Sequence, residues 1–441
     1  MKTSGLSFDD IPPLDIPLRF HITAPVFGLL AALFLFWEGP EAWMSRWTIG
    51  SLGATHLLTL GFMAMVMIGS LFQLVPVLSG QAIPAMRWVA PWVHVMLTAG
   101  VIVLTVALVR PDTVTFTVAL ALLGFAFAAF IPPLVWRLVR IRGASDAIFT
   151  IRLAAISLLM TVGMGIFLSV GRGWPDLGIA FRSWTDVHVL WALFGWVPLL
   201  VMGVSYQVMP MFHVAPAFDS RLARGIPLSV FVSLLLLSHA RSDYLVAPIV
   251  TVLCGALMAY SATALRVLAK RHRKRADPMI GFWRTALISL ALAAVSLWFA
   301  MATPVRLPFL RESGAPLLIG ILMVFGFACS MIIGMLQKIV PFLIFLHLQR
   351  RALGNPDAMS QIPTTNEVIT DRDAHWQLRI HLIACAGILA ALVWPAFARP
   401  AALLLAADFG WLFRNLISAA GEYRRRSQAI GPAPNLMESG A

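Results

Sequence analysis

Long apolar segments separated by short polar breaks cover nearly the whole chain. A helix needs about 20 apolar residues to cross a bilayer, so each run of about 17 residues or more is a candidate span. The runs predict spans at 20–38, 51–78, 88–109, 114–136, 148–170, 186–212, 225–240, 244–266, 280–302, 315–347, 380–398 and 400–420. The widest polar breaks predict a basic loop at 266–279 and a second loop at 348–379. The pattern indicates an all-α polytopic membrane protein with about 12 transmembrane helices.

Composition removes the soluble classes of protein. The 441 residues are 59% hydrophobic and 12% charged, whereas globular chains carry about 25% charged residues. The three cysteines lie in apolar runs and form no Cys-x-x-Cys pair, so we expect neither a disulfide framework nor a structural zinc site. The polar, acidic start of the chain leads directly into the first span, and we expect no cleavable signal peptide.

The distribution of the net charge of +13 indicates membrane topology rather than binding to nucleic acid. An even number of spans places both termini on the same side of the membrane. The lysines and arginines on that side outnumber those on the opposite side roughly three to one. Cytoplasmic loops retain such residues, so we expect both termini and both wide loops to be cytoplasmic. The expected partner is the lipid bilayer, and no nucleic acid is expected.

The second, sixth and tenth spans share one signature at nearly equal intervals. A glycine precedes an aromatic residue, a second glycine follows eight positions after the first, and a proline follows seven positions later. The members are Gly61, Gly69 and Pro76; Gly195, Gly203 and Pro210; and Gly326, Gly334 and Pro341. Small residues let helices approach closely and prolines kink them, which favours a packing role. The signature predicts one membrane domain, 1–441, of three pseudo-symmetric four-helix arcs at about 18–140, 148–268 and 280–420.

Three histidines lie near the predicted outer ends of their spans. They are His56, His188 and His239. Imidazole is a common ligand of haem iron and of copper, so all three are candidate cofactor ligands, with His188 and His239 as a candidate metal site. A lone histidine in a span is also commonly a satisfied polar contact, and that alternative stays open.

The spacing of His56 and His188 to the glycine motif differs by two residues, which rotates a helix by about 200°. They therefore face opposite ways within their repeats, which predicts that they serve different sites or that one is structural. Asp186 could orient His188 through its second ring nitrogen.

The remaining polar groups inside spans carry weaker signals. We interpret five histidines near the cytoplasmic ends as anchors in the head-group zone. They are His21, His94, His213, His347 and His381. Asp408 in the last span is either a structural hydrogen-bond anchor or a proton-path carboxylate. No motif of soluble catalysis occurs, so the catalytic residues are unknown and enzymatic activity stays undecided.

The chain resembles subunit I of the haem-copper oxidases. The stretch Thr55-His56-Leu57 through Gly69, then Val75-Pro76, Gly80 and Pro84, looks like the second helix of that family, with an early haem-ligating histidine. The resemblance implies that His56 binds haem. His188 falls on the helix that bears a copper ligand in the family, and His239 falls on the next helix.

The departures from the family narrow the expected activity. Ala240 follows His239, so the family's adjacent histidine pair is absent, and the outer half of span ten contains no histidine. Met323 and Cys329 are the softest ligand candidates there. The chain is therefore more similar to stand-alone relatives such as the NnrS proteins. That resemblance implies a bacterial inner-membrane haem protein, with copper as a second candidate cofactor, that acts in redox chemistry or nitric oxide tolerance without the usual oxygen-reducing centre.

Two other readings compete with this one. A permease for a small solute or metal would also use twelve spans and kinked helices, although common transporters have two-fold repeats. A cofactor-free assembly or sensory protein would explain the missing histidines of span ten. A redox role would further require a membrane electron donor or a partner subunit.

Overall fold

The computed structural model describes residues 12–143, 145–178, 181–240, 242–272, 277–303 and 314–430. It is 88% helical, and no strand occurs in these ranges. Twelve helices in the described part are long and apolar enough to cross a membrane. The predicted all-α polytopic class is confirmed.

The twelve helices, named spans one to twelve in chain order, agree closely with the hydrophobic pattern. Their bounds are Asp15–Trp43, Ile49–Ser79, Met86–Val109, Thr113–Arg140, Asp146–Gly173, Trp184–His213, Ser220–His239, Tyr244–Ala269, Pro278–Ala302, Gly314–Arg351, Asp371–Val393 and Pro395–Ile430. We call the end of the bundle that carries the two wide loops the inner end, and the opposite end the outer end.

The loop predicted at 348–379 is wrong in its second half, because span eleven begins at Asp371. Thr370 caps this helix, and its hydroxyl accepts a hydrogen bond of 3.1 Å from the amide of Asp373. The first turns are too polar to count as an apolar run, which hides the true start of the helix. Two short helices occupy part of the remaining loop, Pro356–Ser360 and Thr365–Val368.

The basic loop predicted at 266–279 is also shorter than expected. The helix before it continues to Ala269, and the next begins at Pro278. Lysine and arginine stems can extend a helix beyond the apolar run, because the charged heads still reach water. Residues 273–276 of this loop lie outside the described residues.

The spans pack as a ring around three central helices. Spans one, five and nine pack on spans two, six and ten, while spans four, eight and twelve pack on spans five, nine and one. Spans two, six and ten are the most buried, with 78%, 67% and 78% of their most apolar segment inside the protein, against at most 50% elsewhere. The core therefore lies along the axis that the three central spans share.

The glycines of the signature are contact points between spans. Each second glycine lies where an added Cβ would collide with the preceding span. That Cβ would lie 2.6 Å from Phe20 at Gly69, 2.9 Å from Ile151 at Gly203 and 2.5 Å from Phe282 at Gly334. The first glycines make matching contacts with Phe27, Ser157 and Ser289 of the same neighbouring spans. These close contacts support the predicted packing role of the glycines.

Each central span also changes from α-helix to π-helix and back. The π segments are Leu57–Ala64, Leu190–Trp196 and Leu322–Cys329. Each segment contains the first glycine of its signature, so the three spans share the same local geometry. A π turn is rare, inserts one extra residue and occurs frequently at functional sites. The three π segments therefore direct attention to the side chains just before and just after them.

Candidate functional site

His56 is the last residue of the α-helix that precedes the π segment of span two. Its Nδ1 lies 2.8 Å from the carbonyl oxygen of Leu52, one turn earlier. A carbonyl can only accept, so Nδ1 carries the proton and donates it. In the neutral ring, Nε2 then carries the lone pair that a metal requires.

His188 occupies the same level of span six, two residues before the π segment. Its Nδ1 donates to the carbonyl oxygen of Thr161 in span five over 3.1 Å. The ring lies against Gly165, where an added Cβ would be 3.3 Å from the imidazole Cε1. The neighbouring span therefore fixes both the position and the tautomer of His188, and Nε2 again carries the lone pair.

The two imidazoles lie within electrostatic range of one another. In a ring of three similar units, opposite faces of two neighbouring units meet at one interface. Two histidines that point opposite ways within their repeats can therefore lie near each other between span two and span six. Whether they serve one site, serve different sites, or include one structural residue stays a prediction.

Charged groups surround this histidine pair at the outer end. Arg172 of span five lies within electrostatic range of His56. Arg46, between spans one and two, forms an ion pair of 2.6 Å with Asp186 at the start of span six. The prediction that Asp186 orients His188 is wrong, because the Thr161 carbonyl takes Nδ1 and Asp186 binds Arg46. The ion pair instead joins the first two repeats beside the site.

His239 lies apart from the pair among the described contacts. It is an exposed residue at the end of span seven, and its Nδ1 donates to the Leu235 carbonyl of its own helix over 3.0 Å. In the described ranges, no three histidine, cysteine or acidic side chains converge as metal ligands. The structure therefore places two of the three predicted ligands within electrostatic range of each other, and the ligand role of all three stays a prediction.

The donor type of the pair suits haem iron. Imidazole nitrogen is a common ligand of haem iron, and each Nε2 carries the lone pair that such a bond would require. Imidazole also binds copper well, so the same two atoms are copper donors. Arg172, near His56, would favour a group with acidic substituents.

A second polar cluster lies in the middle of the membrane-spanning region, between spans ten, eleven and twelve. His381 Nδ1 forms an ion pair of 2.7 Å with Asp408 Oδ2, and His381 Nε2 lies 2.7 Å from Ser330 Oγ. His381 is 2% exposed, and the other two residues are 0% exposed. The head-group interpretation of His381 is therefore wrong, and the acid that the sequence singled out has a specific partner.

One hydrogen-bond arrangement makes this cluster a charge pair. In it, Ser330 Oγ donates to the carbonyl oxygen of Phe325, in the π segment, over 3.3 Å and accepts a proton from His381 Nε2. Both ring nitrogens carry protons in this arrangement, which we adopt, and an imidazolium faces the Asp408 carboxylate. Gln377 Nε2 donates to the other carboxylate oxygen over 2.6 Å. Although these residue types also build hydrolytic triads, their complete burial makes this cluster a buried charge pair rather than an exposed nucleophile.

Three of the other inner-end histidines have identifiable partners. His21 is fully buried, with Nε2 3.3 Å from Ser70 Oγ, so it is not a head-group anchor. His94 Nε2 lies 2.9 Å from Thr23 Oγ1. His347 Nε2 donates to the Pro12 carbonyl over 3.0 Å, which fixes the start of the described chain to span ten. These contacts hold spans together and suggest no metal ligation.

The fold and these sites define a class of protein: a multi-pass helical membrane protein with a paired-histidine site at the outer end and a buried charge pair in the middle. Comparison with known proteins adds no relative, since no protein-family model and no curated protein matches the chain. The resemblance to haem-copper oxidases and NnrS proteins therefore stays a prediction.

Proposed function

We propose that this protein is a bacterial inner-membrane haem protein in which His56 and His188 are the ligands of one centre. The observation that carries the proposal is the electrostatic proximity of the two imidazoles from different repeats, each with Nδ1 bound to a backbone carbonyl and Nε2 left with its lone pair.

The structure supports preorganisation of this site. His56 is oriented by its own helix, and His188 by span five, so both rings are held without any bound group. Ligands that are already oriented lose little conformational entropy on binding. Arg172, near His56, would attract the acidic substituents of haem and stabilise them.

Haem held by these two residues would supply one-electron redox chemistry, and nitric oxide would bind to it only by displacing one of the two imidazoles. The proposed role is redox chemistry or nitric oxide tolerance, with electrons from a membrane donor or a partner subunit. Oxygen reduction of the oxidase type is not proposed, because the outer half of span ten offers Met323 and Cys329 in place of histidines. Copper is the alternative occupant of the same two nitrogens.

The test is the reduced-minus-oxidised spectrum and the copper content of detergent-purified protein from haem-replete cells. The unchanged protein should show a Soret band, and His56→Ala and His188→Ala should each weaken it strongly. His239→Ala is the matched control, because this exposed histidine lies at the same end of the bundle, and its spectrum should be unchanged.

Three results would contradict the proposal in different ways. If the protein contained copper but no haem, and both variants lost the copper, the histidine pair would be a copper site rather than a haem site. If the purified protein were colourless and free of metal, the proposal of a bound cofactor would be wrong, and solute uptake would be the next measurement. A Soret band that survives in both variants would place haem elsewhere.

A further inference from the structure

A cavity of about 140 Å³ lies in the inner half of the bundle, where spans two, six and ten meet. Its walls are almost entirely apolar and come from all three central spans, including Val66, Val204 and Met335. Phe212 and Phe342 also line it and pack edge to face, with ring centroids 5.3 Å apart. The cavity lies on the other side of the π segments from His56 and His188, and it does not depend on the function proposed for that pair.

Three buried polar atoms of residues that line this cavity have no hydrogen-bond partner within the described part of the chain. They are His21 Nδ1, Gln73 Oε1 and Trp283 Nε1. They come from three different spans, and their side chains are at most 7% exposed. Buried polar groups in proteins are almost always paired, by protein groups or by bound water. These three atoms have almost no accessible surface of their own, so a polar partner in the cavity would meet them after a small rotation of the side chains.

The orphan atoms define the chemistry of that partner. Gln73 Oε1 can only accept a hydrogen bond and Trp283 Nε1 can only donate one, while a hydroxyl both donates and accepts. A ring the size of benzene fits an apolar protein cavity of about 150 Å³, close to the volume here. Apolar walls with two aromatic side chains suit a planar ring better than a charged or highly polar solute.

We propose that the central cavity binds a single aromatic ring that carries a hydroxyl group. The hydroxyl donates to Gln73 Oε1 and accepts from Trp283 Nε1, and a second hydroxyl on the ring would pair with His21 Nδ1. Two sources share this chemistry: the hydroquinone head of a membrane quinol, and a free phenol that enters from the inner end.

The test is calorimetric titration of the detergent-purified full chain with phenol, hydroquinone and benzene, after subtraction of the heats of empty micelles. Phenol should bind about tenfold more tightly than benzene, because it adds hydrogen bonds that benzene cannot make. Gln73→Leu should weaken phenol binding about fivefold and leave benzene binding intact. Gln361→Leu, at an exposed position in the inner loop, is the matched control and should change neither ligand.

Val204→Phe fills the cavity with a ring and should abolish binding of all three ligands. Benzene that binds as tightly as phenol would overturn the hydroxyl recognition, and phenol binding that survives Val204→Phe would overturn the location. Absence of binding by all three ligands in a folded, unchanged protein would overturn the proposal as a whole.

A decyl-substituted hydroquinone separates the two sources. Tighter binding than hydroquinone would support a membrane quinol, and an isoprenoid quinol should then appear in the organic extract of the purified protein. Weaker binding than hydroquinone would support a free phenol.

Discussion

Replacement of Asp408 by leucine would remove the carboxylate from the buried charge pair and leave the His381 imidazolium without its counter-charge. The carboxylate also accepts the Gln377 amide over 2.6 Å, so two donors lose their acceptor in a fully buried place. Removing one partner of a buried ion pair costs about 3–5 kcal/mol. For a chain of this length, that loss corresponds to a decrease of about 3–5 °C in the unfolding midpoint.

The measurement is thermal unfolding in detergent, followed by tryptophan fluorescence at a fixed heating rate. Spans eleven and twelve supply their own control, the ion pair of 3.1 Å between Asp373 and Arg414, whose arginine side chain is 59% exposed. Exposed pairs contribute about 0–1 kcal/mol, so Arg414→Leu should shift the midpoint by no more than about 1 °C.

A double variant, His381→Leu with Asp408→Leu, distinguishes a charge effect from lost packing. Replacing both members of a buried pair by apolar residues is often neutral, so the double variant should be more stable than Asp408→Leu alone. If the double variant were less stable than the single one, or if Asp408→Leu behaved like Arg414→Leu, the assignment of a buried charge pair would be wrong.

Two further predictions concern stability. Gly334→Ala places a Cβ 2.5 Å from Phe282 and should lower the free energy of unfolding by about 1–3 kcal/mol. The control is Gly255→Ala, which has open space around its Cβ and should be neutral or stabilising. Unfolding midpoints of the two variants are compared. At the inner end, burial alone would raise the pKa of Asp277, but Lys338 at 3.2 Å and the Met279 amide hold it below its usual value of 3.8. The ion pair should therefore contribute stability above about pH 4 that is lost as the pH falls through the lowered pKa. Lys338→Met should reduce this acid sensitivity, and an unchanged pH profile would contradict the assignment.

The sequence is sufficient to predict the helical class, the twelve spans and the contact role of the glycines, because each rests on a local pattern. Apolar length fixes a span, and a glycine seven positions from a proline fixes one helix face. The wrong prediction for the start of span eleven also placed His381 wrongly. If span eleven began at residue 380, His381 would lie at the membrane surface. Because the helix begins at Asp371, His381 lies almost three helical turns from its start.

The convergence of His56 and His188 could not be read from the sequence. Helices that are apolar all round give no periodicity from which to assign faces, and Thr59 is the only hydroxyl, amide or charged side chain in the three π segments. Helical register predicts that the two histidines face opposite ways within a repeat. Only the order of the spans around the ring shows that opposite faces meet. The partners of both rings are backbone carbonyls, which every residue has, so no motif marks them.

The π segments connect the outer site to the inner cavity. His56 directly precedes the segment of span two, and Val66, which lines the cavity, lies two residues after its end. Span six repeats the order with His188 before its segment and Leu200 after it. One extra residue in a turn rotates the rest of a helix by about 100° relative to an uninterrupted α-helix. The same insertion in each central span therefore sets which residues face the histidine pair and which face the cavity, so the two places share a structural cause even though the ligands proposed for them are independent of each other.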